Sequence, residues 1–152
     1  MLNLIAMAAL IVTALFALPA AAWAAPAITV TDARVGTHQT KTRIVLDLTG
    51  PVSYRVFTLT DPHRVVIDLP EVKWELAPSA LSRTGLVQKL RYGMFKPGNS
   101  RFVLECNQSA SVDDIFLVEP RDGHGYRLVL DLTVRRQEDS AKAARTAPPP
   151  PP

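Results

Sequence analysis

The chain has 152 residues, with 17 Lys and Arg against 14 Asp and Glu, a formal net charge of +3 and a pI near 9.3. That basicity does not describe a domain: residues 26–134 hold 13 basic and 12 acidic side chains, and the rest of the excess follows residue 134. A near-neutral folded part carries no stripe of cations to follow a phosphate backbone, so nucleic acid is not an expected partner. The single cysteine excludes an intramolecular disulfide.

In chain order, residues 4–25 are almost uninterrupted apolar residues, and Pro19 followed by Ala22-Trp-Ala24 is the small-residue end that a signal peptidase requires. We expect a signal over residues 1–24, cleaved after Ala24, and a periplasmic location. The alternative is an uncleaved anchor, because about 20 apolar residues can span a bilayer. Both readings export the domain, and the membrane is a partner only in the second.

The domain is expected over residues 26–134, and it opens an internal repeat. Ile28-Thr-Val-Thr-Asp-Ala-Arg-Val-Gly36, a turn at 38–42 and Arg43-Ile-Val-Leu-Asp-Leu48 form the first half of one unit. Leu86-Val-Gln-Lys-Leu-Arg-Tyr-Gly93, a turn at 94–100 and Arg101-Phe-Val-Leu-Glu-Cys106 match it at an offset of 57, then 58. Each unit continues through an extended stretch (52–59 and 111–118) and a Pro- or Gly-containing turn (61–62 and 120–125). Each closes on a further copy of the motif, Arg64-Val-Val-Ile-Asp-Leu69 or Arg127-Leu-Val-Leu-Asp-Leu132. The units, about 28–69 and 86–132, therefore hold four strands each, joined as antiparallel hairpins demand. Between them, residues 70–85 break the alternation; we expect an irregular crossover with Trp74 and Leu76 packed on an edge or end of the sheets and a helical turn near Ser79–Ser82. Residues 135–152 are charged, then Ala-rich, then a run of five prolines, the composition of a disordered linker. A linker leads us to expect a further domain beyond it.

The four motif copies share one logic. Side chains alternate between faces with period two, so Ile44/Leu46/Leu48, Val65/Ile67/Leu69, Phe102/Leu104/Cys106 and Leu128/Leu130/Leu132 make wholly apolar faces that must be buried. The opposite faces each read Arg, Val, acid. Within one strand the Arg and the acid lie about 13 Å apart, so they pair not with each other but with the acid and Arg of an antiparallel neighbour. Two readings of these columns stay open: cross-strand ion pairs on a solvated face, or a polar platform for sugar hydroxyls and peptide carboxylates, which the planar Arg fork suits.

Other chemistry is sparse. His38, His63 and His124 sit in predicted turns with no spacing that gathers the three or four ligands of a zinc site, and Asp122-Gly-His-Gly125 reads as a hairpin turn. Asp113 and Asp114 are adjacent in a strand and point to opposite faces, which does not suit paired acid–base work. Cys106 falls on an apolar face, as a small buried hydrophobe does. No nucleophile elbow, phosphate loop or His-Glu-x-x-His motif is found, so neither a catalytic residue nor a cofactor or metal ligand is assigned.

The signal, the tandem Val-x-x-x-Arg-x-Gly and Arg-x-Val-x-acid strands, the closing Arg-Val-Val-Ile-Asp-Leu and the Pro-rich linker together resemble the AMIN domain found at the front of exported N-acetylmuramoyl-L-alanine amidases and of type IV pilus secretins. The resemblance covers about 28–134. It implies an all-β fold of two four-stranded antiparallel sheets, one per repeat or exchanged between repeats, packed as a sandwich. It implies a non-catalytic peptidoglycan-binding module that gathers an attached zinc-dependent amidase at the division septum. Cys106, Glu105 and the segment Gln108–Ser111 depart from the pattern of the first unit. The candidate contact residues are Arg34 and Arg91, Tyr92 beside the latter, and Arg43, Arg64, Arg101 and Arg127. The alternative is an envelope or division protein bound by strand addition, as in a secretin-type assembly.

Overall fold

The structure is a computed structural model that describes residues 26–77 and 83–136. The expected signal, the turn near Ser79–Ser82 and all but the first two residues of the expected linker lie outside the described residues. Among the described residues there is no helix. Nine strands are present: β1 (Thr29–His38), β2 (Lys41–Leu48), β3 (Arg55–Leu59), β4 (Arg64–Pro70), β5 (Lys73–Trp74), β6 (Val87–Lys96), β7 (Asn99–Cys106), β8 (Ala110–Val118) and β9 (Tyr126–Val134).

They form two sheets, ordered β5-β1-β2-β9-β8 and β3-β4-β7-β6. The repeat units are exchanged between them. The first hairpin of one unit pairs with the second hairpin of the other, through β2 with β9 in one sheet and β7 with β4 in the other. The two four-strand sets, β1-β2-β9-β8 and β6-β7-β4-β3, are therefore equivalent by a pseudo-twofold relation. Their irregularities match as well. A bulge between Val30 and Asp32 has its counterpart between Val87 and Lys89. Buried Thr42 accepts a hydrogen bond from the Leu86 amide at 3.0 Å, and its equivalent Ser100 accepts one from the Val72 amide at 3.1 Å.

Every residue on the four apolar motif faces is buried, none more than 8% exposed. Together with Val30, Ala33, Val52, Val72, Leu86 and Val87 they form one continuous core between the sheets. Truncating a large aliphatic side chain at such a position typically costs about 2–5 kcal/mol, so twelve inward positions specified by four six-residue motifs hold most of the fold.

The expected fold holds, with two differences. The first sheet has a fifth strand, because the crossover lies along the free edge of β1. Amides of Lys73 and Glu75 donate to the carbonyls of Ile28 and Val30, each at 2.9 Å, and β5 runs parallel to β1. Val72 is buried there, and Trp74 stacks on Phe102 and lies tilted against Tyr92, with centroids 6.0 and 5.0 Å away, closing one end of the core. The second difference is length: β1 reaches His38 and β6 reaches Lys96, leaving tight turns at Gln39-Thr40 and Pro97-Gly98. Both ends project beyond the core, so neither face of them carries the apolar alternation that would reveal a strand.

Candidate functional site

The polar positions of the motifs face outward, three of the six candidate arginines on each sheet. Arg34, Arg43 and Arg127 belong to the β1-β2-β9-β8 face; Arg91, Arg101 and Arg64 occupy the equivalent positions on the β6-β7-β4-β3 face. Antiparallel pairing of the central strands sets Arg43 opposite Asp131, Asp47 opposite Arg127, Arg101 opposite Asp68 and Glu105 opposite Arg64. This is the cross-strand arrangement that the motif spacing requires.

Only half of those oppositions become ion pairs. Arg43 donates through Nε and Nη2 to both oxygens of Asp131, each at 2.7 Å. Arg101 does the same to Asp68 at 2.6 and 3.0 Å. Asp131 is almost fully buried, and the fork of Arg43 holds its carboxyl below the usual carboxylate range; Arg101 acts likewise on Asp68. The other two acids are claimed from the outer strand. Asp47 accepts two bonds from Arg34 at 2.8 and 2.9 Å, and Glu105 pairs with Arg91. Arg127 and Arg64 are thereby displaced. The Arg127 Nε is buried without a hydrogen-bond partner, and the Arg64 Nε reaches only the Pro62 carbonyl, at 3.4 Å.

Between the paired arginines each face has a dent. On one sheet Arg34, Gly36, Arg43 and Val45 line a hollow of about 260 Å³; on the other Arg91, Gly93, Arg101 and Val103 line one of about 180 Å³. Gly36 and Gly93 make the floor. A Cβ added at either would meet nothing within 4 Å, and the backbone at Gly36 is not left-handed. Packing therefore does not require glycine at Gly36, although glycine inside a strand lowers stability by roughly 0.5–1 kcal/mol. At Gly93 the backbone itself, with φ +156° beside the bulge at Met94–Lys96, favours glycine; at Gly36 the missing side chain leaves the backbone open to close approach.

Tyr92 does not share the outward face of Arg91. Its register partner is the buried Phe102, and its ring stacks on Phe102 and lies tilted against Trp74 at the end of the core, with 38% of the residue exposed. The residues that sequence reasoning missed are Phe95, Phe57 and the glycines themselves. The Arg101 guanidinium lies 3.6 Å over the Phe95 ring and 5.5 Å from that of Phe57. The glycines were visible as repeat-matched positions; Phe95 was hidden, because it lies in a stretch read as a turn. Among the described residues no group of three or more His, Cys, Asp and Glu converges as a metal site would require. Cys106 is buried, and burial pushes its thiol up to about 11.

Comparison with known proteins agrees with this architecture. The AMIN domain profile matches residues 32–130. The chain is similar to the N-acetylmuramoyl-L-alanine amidase AmiC of Neisseria meningitidis serogroup B (strain MC58), 31% identical over 107 residues, which cover 67% of this chain and 26% of that protein. It is similar also to AmiC of Escherichia coli O6:H1 (strain CFT073), 28% identical over 111 residues, covering 70% of this chain and 26% of the relative. The matched segment thus spans about a quarter of the length of each of these relatives. With seven strands wholly and β1 and β9 mostly inside the matched region, which spans more than half of the sequence, the chain belongs to the AMIN domain family.

Proposed function

We propose that this chain is an exported, non-catalytic module that binds peptidoglycan and holds a cell-wall amidase at its site of action, the division septum, with catalysis carried by another domain of a zinc-dependent parent enzyme. One observation carries the reading: the repeated hollow on each outer face, floored by a glycine and walled by two arginines. A polymer chain can lie against exposed backbone there while guanidinium forks reach its hydroxyls and carboxylates. Similarity to two amidases, each named for cleavage at N-acetylmuramoyl-L-alanine, supplies the polymer. A repeated, shallow and solvated surface suits holding a large repetitive ligand better than enclosing a small one.

The test is co-sedimentation of the purified chain with isolated sacculi. Retention in the pellet at low and moderate salt is expected; a chain that stays in the supernatant under both conditions refutes wall binding. A second reading has its own observation. β6 is a ten-residue edge strand with Met94 and Phe95 exposed near its end, a geometry open to strand addition by an envelope protein. Pull-down from envelope extract after peptidoglycan digestion separates the two, because a partner retained without wall material favours docking.

A further inference from the structure

The pseudo-twofold relation makes the two outer faces internal controls for each other. They share a framework: Arg34/Arg91, Gly36/Gly93, Arg43/Arg101, Val45/Val103, Asp47/Glu105, Val129/Val66, Asp131/Asp68, Arg127/Arg64 and Phe116/Phe57 are equivalent by register. What differs is the border. Asp32, opposite Asp47, becomes Lys89 opposite Glu105. Asp114, opposite Asp131, becomes Arg55 opposite Asp68. By register His38, opposite Lys41, becomes Lys96, opposite Asn99, and Phe95 is the extra residue of the bulge between Met94 and Lys96.

These exchanges separate the faces electrostatically. On the β1-β2-β9-β8 face, Arg34, Lys41, Arg43 and Arg127 are balanced by Asp32, Asp47, Asp114 and Asp131, and Lys41 is further paired with Asp113. On the β6-β7-β4-β3 face, Arg55, Arg64, Lys89, Arg91, Lys96 and Arg101 stand against only Asp68 and Glu105, and those two acids are occupied by Arg101 and Arg91. Among the described residues Arg55, Arg64, Lys89 and Lys96 have no carboxylate partner. Two of these cations, Arg55 and Lys96, line a groove of about 530 Å³ with Tyr54, Asp68, Phe95 and Arg101, and the other two, Arg64 and Lys89, flank Glu105 further along the same face. Aromatic rings on this face hold two of the arginines in place: Arg55 lies 5.4 Å from the Phe57 ring, and Arg101 lies 3.6 Å over that of Phe95.

Resting on the wall-binding reading above, we propose that the two faces are not equivalent in use. The β3-β4-β7-β6 face, through Arg55, Lys89, Lys96 and the Phe57/Phe95 platform, binds the carboxylate-bearing peptide stems of the wall, and the opposite face keeps the same framework without the capacity. Charge complementarity selects the occupant. Glycan hydroxyls are neutral and draw no advantage from four unneutralised cations, whereas a carboxylate bound by a free guanidinium fork gains paired, charge-assisted hydrogen bonds.

Exchanging the border residues tests this. Arg55→Asp with Lys89→Asp gives the cationic face four cations and four acids, the balance of its counterpart. Asp32→Lys with Asp114→Arg does the reverse to the other face. Sedimentation affinities for sacculi are compared, for native sacculi and for sacculi whose peptide carboxylates have been amidated, with urea midpoints confirming that each variant folds. The proposal expects the first variant to lose about tenfold or more in affinity, the second to gain affinity, and amidated sacculi to bind the unaltered chain about tenfold more weakly, a loss of about 1.4 kcal/mol. If the unaltered chain binds native sacculi but the first variant binds as well, or amidation changes nothing, the face assignment is overturned while wall binding stands. If the unaltered chain does not bind at all, the wall-binding reading falls and takes this proposal with it. Equal affinity of the chain for anionic phospholipid vesicles would also overturn the assignment, because the face would then be reading charge rather than the wall.

Discussion

Asp131→Ala isolates the part of the motif that belongs to the fold rather than to the ligand. Asp131 is 3% exposed, and its two oxygens accept hydrogen bonds from Nε and Nη2 of Arg43, each at 2.7 Å. Removing it leaves a guanidinium, whose side chain is about a third exposed, with two lost charge-assisted bonds. Breaking a fully buried pair by deleting one partner costs about 3–5 kcal/mol. Here the partial exposure of Arg43 lets water replace some of the loss, and Asp114, opposite Asp131 on β8, offers a substitute acid. We therefore expect roughly 2–3 kcal/mol, which for a domain of this size lowers the melting temperature by about 10 °C. Urea unfolding followed by Trp74 fluorescence should show a lower midpoint with an unchanged slope. The companion change Arg43→Met with Asp131→Leu should recover most of the loss, since an apolar pair of similar volume removes the stranded charge. A single variant within about 0.5 kcal/mol of the unaltered chain, or a double variant no better than the single, refutes the reasoning.

Acid should weaken the domain through the same pairs. The arginines depress the carboxyl pKa values of Asp68 and Asp131 in the folded state, so their contribution is complete above the unfolded value of about 3.9 and is lost as pH falls through the lower folded values. Urea midpoints should be level from about pH 7 to 5 and fall between about pH 4 and 2, and Asp68→Asn with Asp131→Asn should flatten that fall; an unchanged profile in the double variant contradicts the assignment. Gly85→Ala should destabilise by about 2–3 kcal/mol, because Gly85 has φ +60° and a new Cβ would lie 2.3 Å from the Thr42 hydroxyl oxygen that anchors the Leu86 amide; a midpoint unchanged in urea would show that this anchor is dispensable. Cys106, buried and with its thiol pushed up to about 11, should resist alkylation at pH 8 in the native chain and react promptly in urea; rapid native labelling would contradict its place in the core.

The core was legible because its determinants are local and repeated. Ile44, Leu46 and Leu48 and their three sets of counterparts announce a buried strand face by period two alone, and all are buried. The Arg-to-acid spacing implied antiparallel partners, and the register supplied them. What could not be read was which partner each arginine keeps. Asp47 is opposite Arg127 on its neighbour β9 but is taken by Arg34 from β1, a choice made by three strands meeting on one face. The exchange of hairpins between sheets was left open for a related reason: a unit of four alternating strands satisfies its own apolar pattern whether it closes on itself or on its twin. Arg55, Lys89 and Phe95 gave no signal in one dimension, since the meaning of Arg55 and Lys89 lies in the equivalent positions Asp114 and Asp32 on the opposite face, and Phe95 is a bulge residue that the other unit lacks. The crossover strand β5 is only Lys73 and Trp74, too short for any periodicity to show.

The most direct test of the proposed wall binding is an amide chemical-shift titration of the isotopically labelled chain with a soluble muropeptide that carries a free stem carboxylate. The account expects perturbations gathered on the β3-β4-β7-β6 face, at Arg55, Phe57, Arg64, Lys89, Phe95 and Arg101, weakening as salt rises. Perturbations centred instead on Arg34, Arg43 and Arg127 would overturn the face assignment, and perturbations confined to an edge strand with both outer faces silent would contradict wall binding through the faces.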